Sequence, residues 1–232
     1  DLKELVLCYG HWFLNNISKI IYLDAYKNAL IITVVMFFQF YSNFSGGFLF
    51  SNWDLFFCCQ LLLVLVFGVE GVFAQDLTKE KLCQSPKIHK SAIDKSPLNI
   101  TSLLYYFFLG VLHGCILCLF ELTFASTIVN SSGLTENQEL IKAELLISVV
   151  LTLQSTCLLQ SSCINILTVL SHVVSLVAFI LVLTLKSQGI LTQEKVGVFE
   201  FIQTSTFSIV LCPCLCFVLT YFLKIVLFQK SL

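Results

Sequence analysis

The chain has 232 residues, of which 57% are hydrophobic and 12% charged, with a mean hydropathy of +0.91 and a net charge of −1. About a quarter of the residues in a soluble domain are usually charged, so this composition excludes an ordinary soluble domain and predicts an integral membrane protein. A net charge so close to zero supplies no cationic field, and we expect no nucleic-acid partner.

Six apolar runs are long enough to cross about 30 Å of hydrocarbon as helices that rise about 1.5 Å per residue. They cover approximately residues 21–42, 54–74, 102–124, 144–162, 164–185 and 199–223. The sequence therefore predicts an all-α membrane protein with six transmembrane helices.

Lysines indicate how these helices are oriented. Five of them lie between the second and third runs, in a loop at residues 75–101. Basic residues are enriched in cytoplasmic loops, so this loop is predicted to be cytosolic, and six spans then place both termini in the cytosol. An amphipathic lead-in precedes the first run at 1–20, and a tail follows the last at 224–232. Because the chain starts with Asp1 rather than Met, we expect a piece of a longer polypeptide or an incomplete gene model.

Lys27 and Asn28 stand near the start of the first apolar run. Lys27 lies about 9 Å below the predicted cytosolic edge, which its side chain can nearly span by snorkelling. A function inside the bundle is the alternative explanation. The Asn28 amide cannot snorkel, and Asn28, Val35 and Gln39 fall within about 20° of one line on a helix. That face is predicted to line a polar groove or a helix interface.

Glu70 lies near the end of the second run, at a depth similar to that of Lys27 on the antiparallel first run. A pair between Lys27 and Glu70 would reduce the cost of keeping both charges near hydrocarbon. We therefore predict this ion pair from the matching depths.

Other candidate sites give weaker signals. Asn130 begins an Asn-x-Ser/Thr sequence in a predicted exoplasmic loop and is the best glycosylation candidate. Most of the eleven cysteines fall inside predicted helices, where thiols behave as small apolar groups. The CPCLC sequence at 212–216 resembles a metal motif, but Cys-x-Cys spacing on a helix directs the two sulfurs to different faces, so we assign no metal site. No nucleophile with a base and no glycine-rich phosphate loop is found.

Several linked motifs are similar to one known family. They are YGHWF at 9–13, AYKNAL at 25–30, FYSNFSGGFLFSNWDLFF at 40–57, GVFAQDLTKE at 71–80 and SPKIH at 85–89. In this order and spacing they resemble the region after the catalytic core of the type-IV P-type ATPases, the phospholipid flippases. The specific similarity covers about residues 8–124, and beyond it the similarity is in span number and spacing.

The resemblance implies that the six helices correspond to helices five to ten of such a pump. Residues 21–74 would form a transport-type helix pair, and residues 102–223 a four-helix support domain that docks an accessory glycoprotein subunit. Lys27 and Asn28 would contact a phospholipid headgroup, with Gln39 further along the same face. The implied activity is ATP-driven movement of aminophospholipid to the cytosolic leaflet, in the plasma membrane or in Golgi or endosomal membranes.

The chain also departs from the family. It lacks the phosphorylated Asp-Lys-Thr-Gly-Thr sequence and the nucleotide pocket, so ATP and Mg²⁺ would be bound elsewhere in a complete pump. The family's sixth-helix proline aligns with Val66, and its Phe-Asp-Gln-Asp element has become Phe-Ala-Gln-Asp at 73–76. The alternative hypothesis is a degenerate or stand-alone six-span protein without transport activity that acts at most as a scaffold.

Overall fold

The computed structural model describes residues 8–44, 47–56, 62–75, 77–79, 82, 98–125, 138–161, 165–187 and 198–229. These residues form helices and connecting turns, with no β-strand among them. The helices are α1 (Gly10–Tyr41), α2 (Asn52–Asp54), α3 (Leu62–Phe73), α4 (Ile100–Ala125), α5 (Gln138–Gln160), α6 (Ile166–Ser187) and α7 (Val198–Gln229). The predicted all-α architecture is therefore confirmed.

Four segments in the described part of the chain are long and apolar enough to cross a membrane. They are Gly10–Tyr41, Ile100–Glu121, Ile141–Gln160 and Ile166–Lys186. Two shorter apolar helices, Val64–Phe73 and Val210–Ile225, accompany them. A multi-pass membrane protein is thus confirmed, whereas the count of six spans stays a prediction.

Helix α1 begins at Gly10, well before the apolar run predicted from residue 21. Its first turns are held by the last turn of α3 and by the segment that follows it. The Trp12 indole donates to the Leu77 carbonyl at 3.1 Å, and the Asn16 amide donates to the carbonyls of Gly71 and Ala74 at 3.1 and 2.9 Å. Asn16 thereby satisfies backbone acceptors that the end of α3 leaves open.

The helices share one apolar core. The most extensive helix contacts are those between α1 and α4, between α5 and α7, and between α3 and α6. Leu30 of α1, Val66 of α3, Leu117 of α4 and Leu153 of α5 belong to a single buried cluster, which also takes in side chains of α6 and α7. The two helices of the predicted transport-type pair are therefore both packed into the support helices.

An ion pair joins the one-turn helix α2 to the end of α6. The Lys186 ammonium donates to both carboxylate oxygens of Asp54, at 3.0 and 2.9 Å. Asp54 also accepts from the Ser51 backbone N–H at 3.0 Å and from its hydroxyl at 2.8 Å. The Ser51 hydroxyl in turn accepts from the Asp54 N–H, which completes a capping box.

Polar side chains also bond between the support helices. Ser148 of α5 donates to Glu121 of α4 at 2.5 Å. The Gln154 amide of α5 donates to Ser175 of α6 at 2.6 Å, and its oxygen accepts from the His172 ring 2.7 Å away. Such bonds contribute about 0.6 kcal/mol each on average inside membranes, so they fix the rotation of neighbouring helices more than they add stability.

Candidate functional site

Lys27 is buried within the helix bundle. Its ammonium donates to Oδ1 of Asp24 at 2.6 Å, and its side chain is 5% exposed against 48% for that of Asp24. Helical side chains lean toward the helix N-terminus, so Lys27 reaches back one turn to meet its partner. The lysine charge is therefore compensated by a partner within the protein, and only a small part of the Lys27 side chain reaches the surface.

Asn28 shares the same carboxylate from the other side. Its amide donates to Oδ2 of Asp24 at 3.2 Å, and its side chain is exposed on the surface of α1. Asp24 thus bridges a buried cation and an exposed amide. We call Asp24, Lys27 and Asn28 the Asp24 cluster. Asp24 was not predicted as a site residue, although it lies three and four residues before Lys27 and Asn28, the spacing at which helical side chains meet.

Glu70 is buried on α3. Among the described contacts, Lys27 forms an ion pair with Asp24. The ion pair between Lys27 and Glu70 stays a prediction. Val66, which the resemblance aligns with the family's proline, is fully buried within the continuous helix α3.

Gln39 lies at the opposite end of α1. It is roughly 18 Å from Lys27 along the helix axis, for 12 residues at 1.5 Å each. Its amide donates to the Gly47 carbonyl at 2.9 Å and so holds the turn after α1. Lys27 and Asn28 are brought together by the fold, whereas Gln39 belongs to a separate part of the helix.

Two glycines of α4 allow α1 to pack closely against α4 beside the Asp24 cluster. A Cβ at Gly110 would lie 2.5 Å from the Tyr26 carbonyl oxygen, and one at Gly114 would lie 2.8 Å from Cβ of Thr33. No side chain fits at either position, so the two backbones touch here. Gly-x-x-x-Gly in an apolar helix is a known signal for close helix packing, and it could have been found at Gly110 and Gly114 from the sequence.

Tyr26, the neighbour of Lys27, is anchored in a buried hydrogen-bond network. Its hydroxyl lies 2.7 Å from Nδ1 of His113 on α4 and 3.1 Å from Oγ1 of Thr156 on α5. The other ring nitrogen of His113 lies 3.4 Å from Oγ1 of Thr220 on α7. All four side chains are at most 1% exposed. The network therefore joins α1, α4, α5 and α7 directly behind the Asp24 cluster.

The remaining candidates lie apart from this cluster. Cys212 and Cys216 are buried and Cys214 is exposed, so the first two cysteines of the predicted helix do point to different faces. Within the described residues no three His, Cys, Asp or Glu side chains gather where they could hold a metal ion. Asn130 lies outside the described residues.

Comparison with known proteins gives one family. A family described as "Phospholipid-translocating P-type ATPase C-terminal" matches residues 1–231. The chain is 29% identical over 119 residues to phospholipid-transporting ATPase VD of Macaca fascicularis, covering 51% of this chain and 18% of that protein. It is 27% identical over 101 residues to human phospholipid-transporting ATPase VB, covering 44% of this chain and 7% of that protein. The chain thus matches less than a fifth of the length of either relative.

Proposed function

Because the chain belongs to the phospholipid-translocating P-type ATPase C-terminal family, we propose that it is the membrane segment of an ATP-driven pump that moves aminophospholipid from the exoplasmic to the cytosolic leaflet. The observation that supports this most directly is the Asp24 cluster. It places a buried ammonium, a half-exposed carboxylate and an exposed amide within one turn of α1.

The charges of this cluster complement those of an aminophospholipid headgroup. A phosphate or carboxylate suits the Lys27 ammonium, and a primary amine suits the Asp24 carboxylate. When no lipid is bound, the two residues neutralise each other, which reduces the cost of burying Lys27. A bound headgroup carries the same two kinds of charge, so it can replace the internal pair without leaving a lone charge near hydrocarbon.

Asn28 and Gln39 have different places in this proposal. Asn28 faces outward beside Asp24 and can donate to phosphate or carboxylate oxygens of the same headgroup. Gln39 is roughly 18 Å away along α1, by the helical rise of 1.5 Å per residue. It therefore contacts the lipid at an earlier stage, near the exoplasmic end of the pathway.

The larger organisation follows the family. Helices α1 and α3 form the transport pair, and α4 to α7 form the support domain that docks an accessory glycoprotein subunit. Both termini and the loop at 75–101 are cytosolic, and Asn130 is the glycosylation site. ATP and Mg²⁺ are bound by other parts of the complete pump. The sequence has no glycine-rich phosphate loop, and among the described residues no three His, Cys, Asp or Glu side chains gather where they could hold Mg²⁺.

Transport can be tested in cells that lack endogenous flippases. The transcript upstream of Asp1 is determined first, and the complete reading frame is then expressed beside its Lys27→Ala and Lys142→Ala variants. We expect uptake of fluorescent phosphatidylserine that Lys27→Ala reduces about tenfold or more, as expected for loss of a charge-assisted contact of about 1.5–3 kcal/mol. Lys142→Ala, which removes a lysine of α5 far from the cluster, should keep the uptake. Background uptake by the unchanged protein would favour the scaffold hypothesis.

A further inference from the structure

The hydrogen atoms of the Tyr26 network can be assigned by counting donors. The Thr220 hydroxyl has one hydrogen, which it donates to the Cys216 carbonyl 2.6 Å away. Thr220 can therefore only accept from His113, which places a hydrogen on Nε2 of the His113 ring. In a neutral imidazole the other nitrogen, Nδ1, is then the acceptor, and the Tyr26 hydroxyl donates to it.

This assignment also fixes the last bond. Since the Tyr26 hydroxyl gives its hydrogen to His113, its oxygen accepts from the hydroxyl of Thr156. The network is a one-way chain from Thr156 through Tyr26 and His113 to Thr220 and the backbone of α7. Each hydroxyl and each ring nitrogen in it has a partner, so the site favours one rotation of the Tyr26 side chain.

Tyr26 is held at its backbone as well. A Cβ at Gly110 would lie 2.5 Å from the Tyr26 carbonyl oxygen, so the backbone of α1 lies against that of α4 at this residue. The hydrogen bonds of the Tyr26 hydroxyl to His113 and Thr156 oppose rotation or sliding of α1 away from α4 and α5. Both constraints act one residue before Lys27 and two before Asn28, so they set the depth and direction of the Asp24 cluster.

From this geometry we infer that Tyr26 and His113 are positioning residues, through which the support helices hold Lys27 at the place where it meets a phospholipid headgroup. The inference rests on the proposed function. It concerns residues that do not themselves contact the lipid, since both side chains are completely buried. Positioning matters because a displacement of about 1 Å at a binding site can weaken its action by up to about a hundredfold.

The test separates the affinity for lipid from the amount of folded protein. Uptake of fluorescent phosphatidylserine is measured over a range of lipid concentrations in cells that express the complete reading frame. Maximal uptake scales with the amount of folded protein, whereas the half-saturating concentration does not. We expect Tyr26→Phe and His113→Ala each to raise the half-saturating concentration about tenfold. The half-saturating concentration of the double variant should be no higher than that of the more affected single variant, because both substitutions break the same hydrogen-bond network.

Two further variants serve as controls. Tyr106→Phe removes another interhelical tyrosine hydroxyl, which donates to Gln160 at 3.0 Å, and should leave the half-saturating concentration unchanged. His113→Gln keeps one acceptor and one donor at the end of the side chain and should recover most of the affinity. If Tyr26→Phe and Tyr106→Phe behave alike while Lys27→Ala abolishes uptake, the positioning inference is wrong and the proposed function stands. If Lys27→Ala has no effect, both are overturned.

A spectroscopic measurement tests the arrangement without transport. In the complete protein labelled with ¹⁵N-histidine in lipid bilayers, the signal that His113→Gln removes identifies the histidine of interest. We expect His113 to be neutral with its hydrogen on Nε2, and the Nδ1 signal to shift in Tyr26→Phe. A hydrogen on Nδ1, or a signal that does not respond to Tyr26→Phe, would overturn the inference.

Discussion

The ammonium group of Lys186 lies 3.0 and 2.9 Å from the two carboxylate oxygens of Asp54, and so joins residues 132 positions apart in the chain. Asp54 belongs to the one-turn helix between α1 and α3, and Lys186 to the last turn of α6. Asp54 also accepts two hydrogen bonds from Ser51, which orient its carboxylate. This end of the predicted transport pair is thus fastened to the support helices by a shared, largely buried carboxylate.

We expect Lys186→Met to destabilise the folded protein by about 1–3 kcal/mol, because it leaves the Asp54 carboxylate buried without its cation. The measurement is thermal unfolding in detergent. Asp54→Asn combined with Lys186→Met removes both charges and should recover much of the loss, since a neutral amide is less costly to bury than a charge. Equal stability of Lys186→Met and the unchanged protein would show that the pair contributes nothing.

The glycines of α4 provide a second test of the packing. Gly110→Ala places a methyl group 2.5 Å from the Tyr26 carbonyl oxygen, and only a shift of α1 can relieve that contact. We expect a loss of about 1–3 kcal/mol, typical of overpacking, again measured by thermal unfolding. Gly68 is the matched control, because nothing lies within 4 Å of a Cβ there. A Gly110→Ala protein that unfolds like Gly68→Ala would contradict the close approach of α1 and α4.

The helical part of this fold was predictable because a membrane fixes the length of an apolar helix. The third apolar run, predicted at 102–124, is helix α4 from Ile100 to Ala125. The start of α1 was not predictable in this way. Gly10 to residue 20 lies outside the apolar run, and bonds from Trp12 and Asn16 to carbonyls more than 50 residues later hold it in place.

The candidate site was only partly predictable for a similar reason. Lys27 and Asn28 stand out because charged and amide groups are rare in apolar runs. The same reasoning could have identified Asp24, because it lies three residues before Lys27 and four before Asn28, the spacing at which side chains meet on a helix. The bond from Tyr26 to His113 joins residues 87 positions apart, and a single sequence gives no signal for that pairing.

The predicted contact between Lys27 and Glu70 can be measured by a double-mutant cycle. If the two charges interact, the destabilisation caused by Glu70→Gln should differ between the unchanged protein and Lys27→Met by about 0.5–3 kcal/mol. Glu144→Gln is the control. Glu144 is another buried glutamate, on α5 about 18 Å along the helix from Thr156, whose hydroxyl lies 3.1 Å from that of Tyr26 beside Lys27, and it should show no coupling to Lys27. Coupling of the same size for both glutamates would remove the case for a specific pair.

Asp24→Asn tests which part of the headgroup the carboxylate recognises. The substitution keeps the size of the side chain and an acceptor oxygen but removes the negative charge that suits a primary amine. We expect the ratio of phosphatidylserine to phosphatidylcholine uptake to fall roughly 5- to 30-fold, the equivalent of about 1–2 kcal/mol. Choline carries no N–H group, so its headgroup loses less from the change. Lys27→Ala is the comparison, because loss of a phosphate partner should reduce both uptakes together. If Asp24→Asn lowers both uptakes equally, Asp24 acts only by holding Lys27 in place, and selection for the amine must come from another residue.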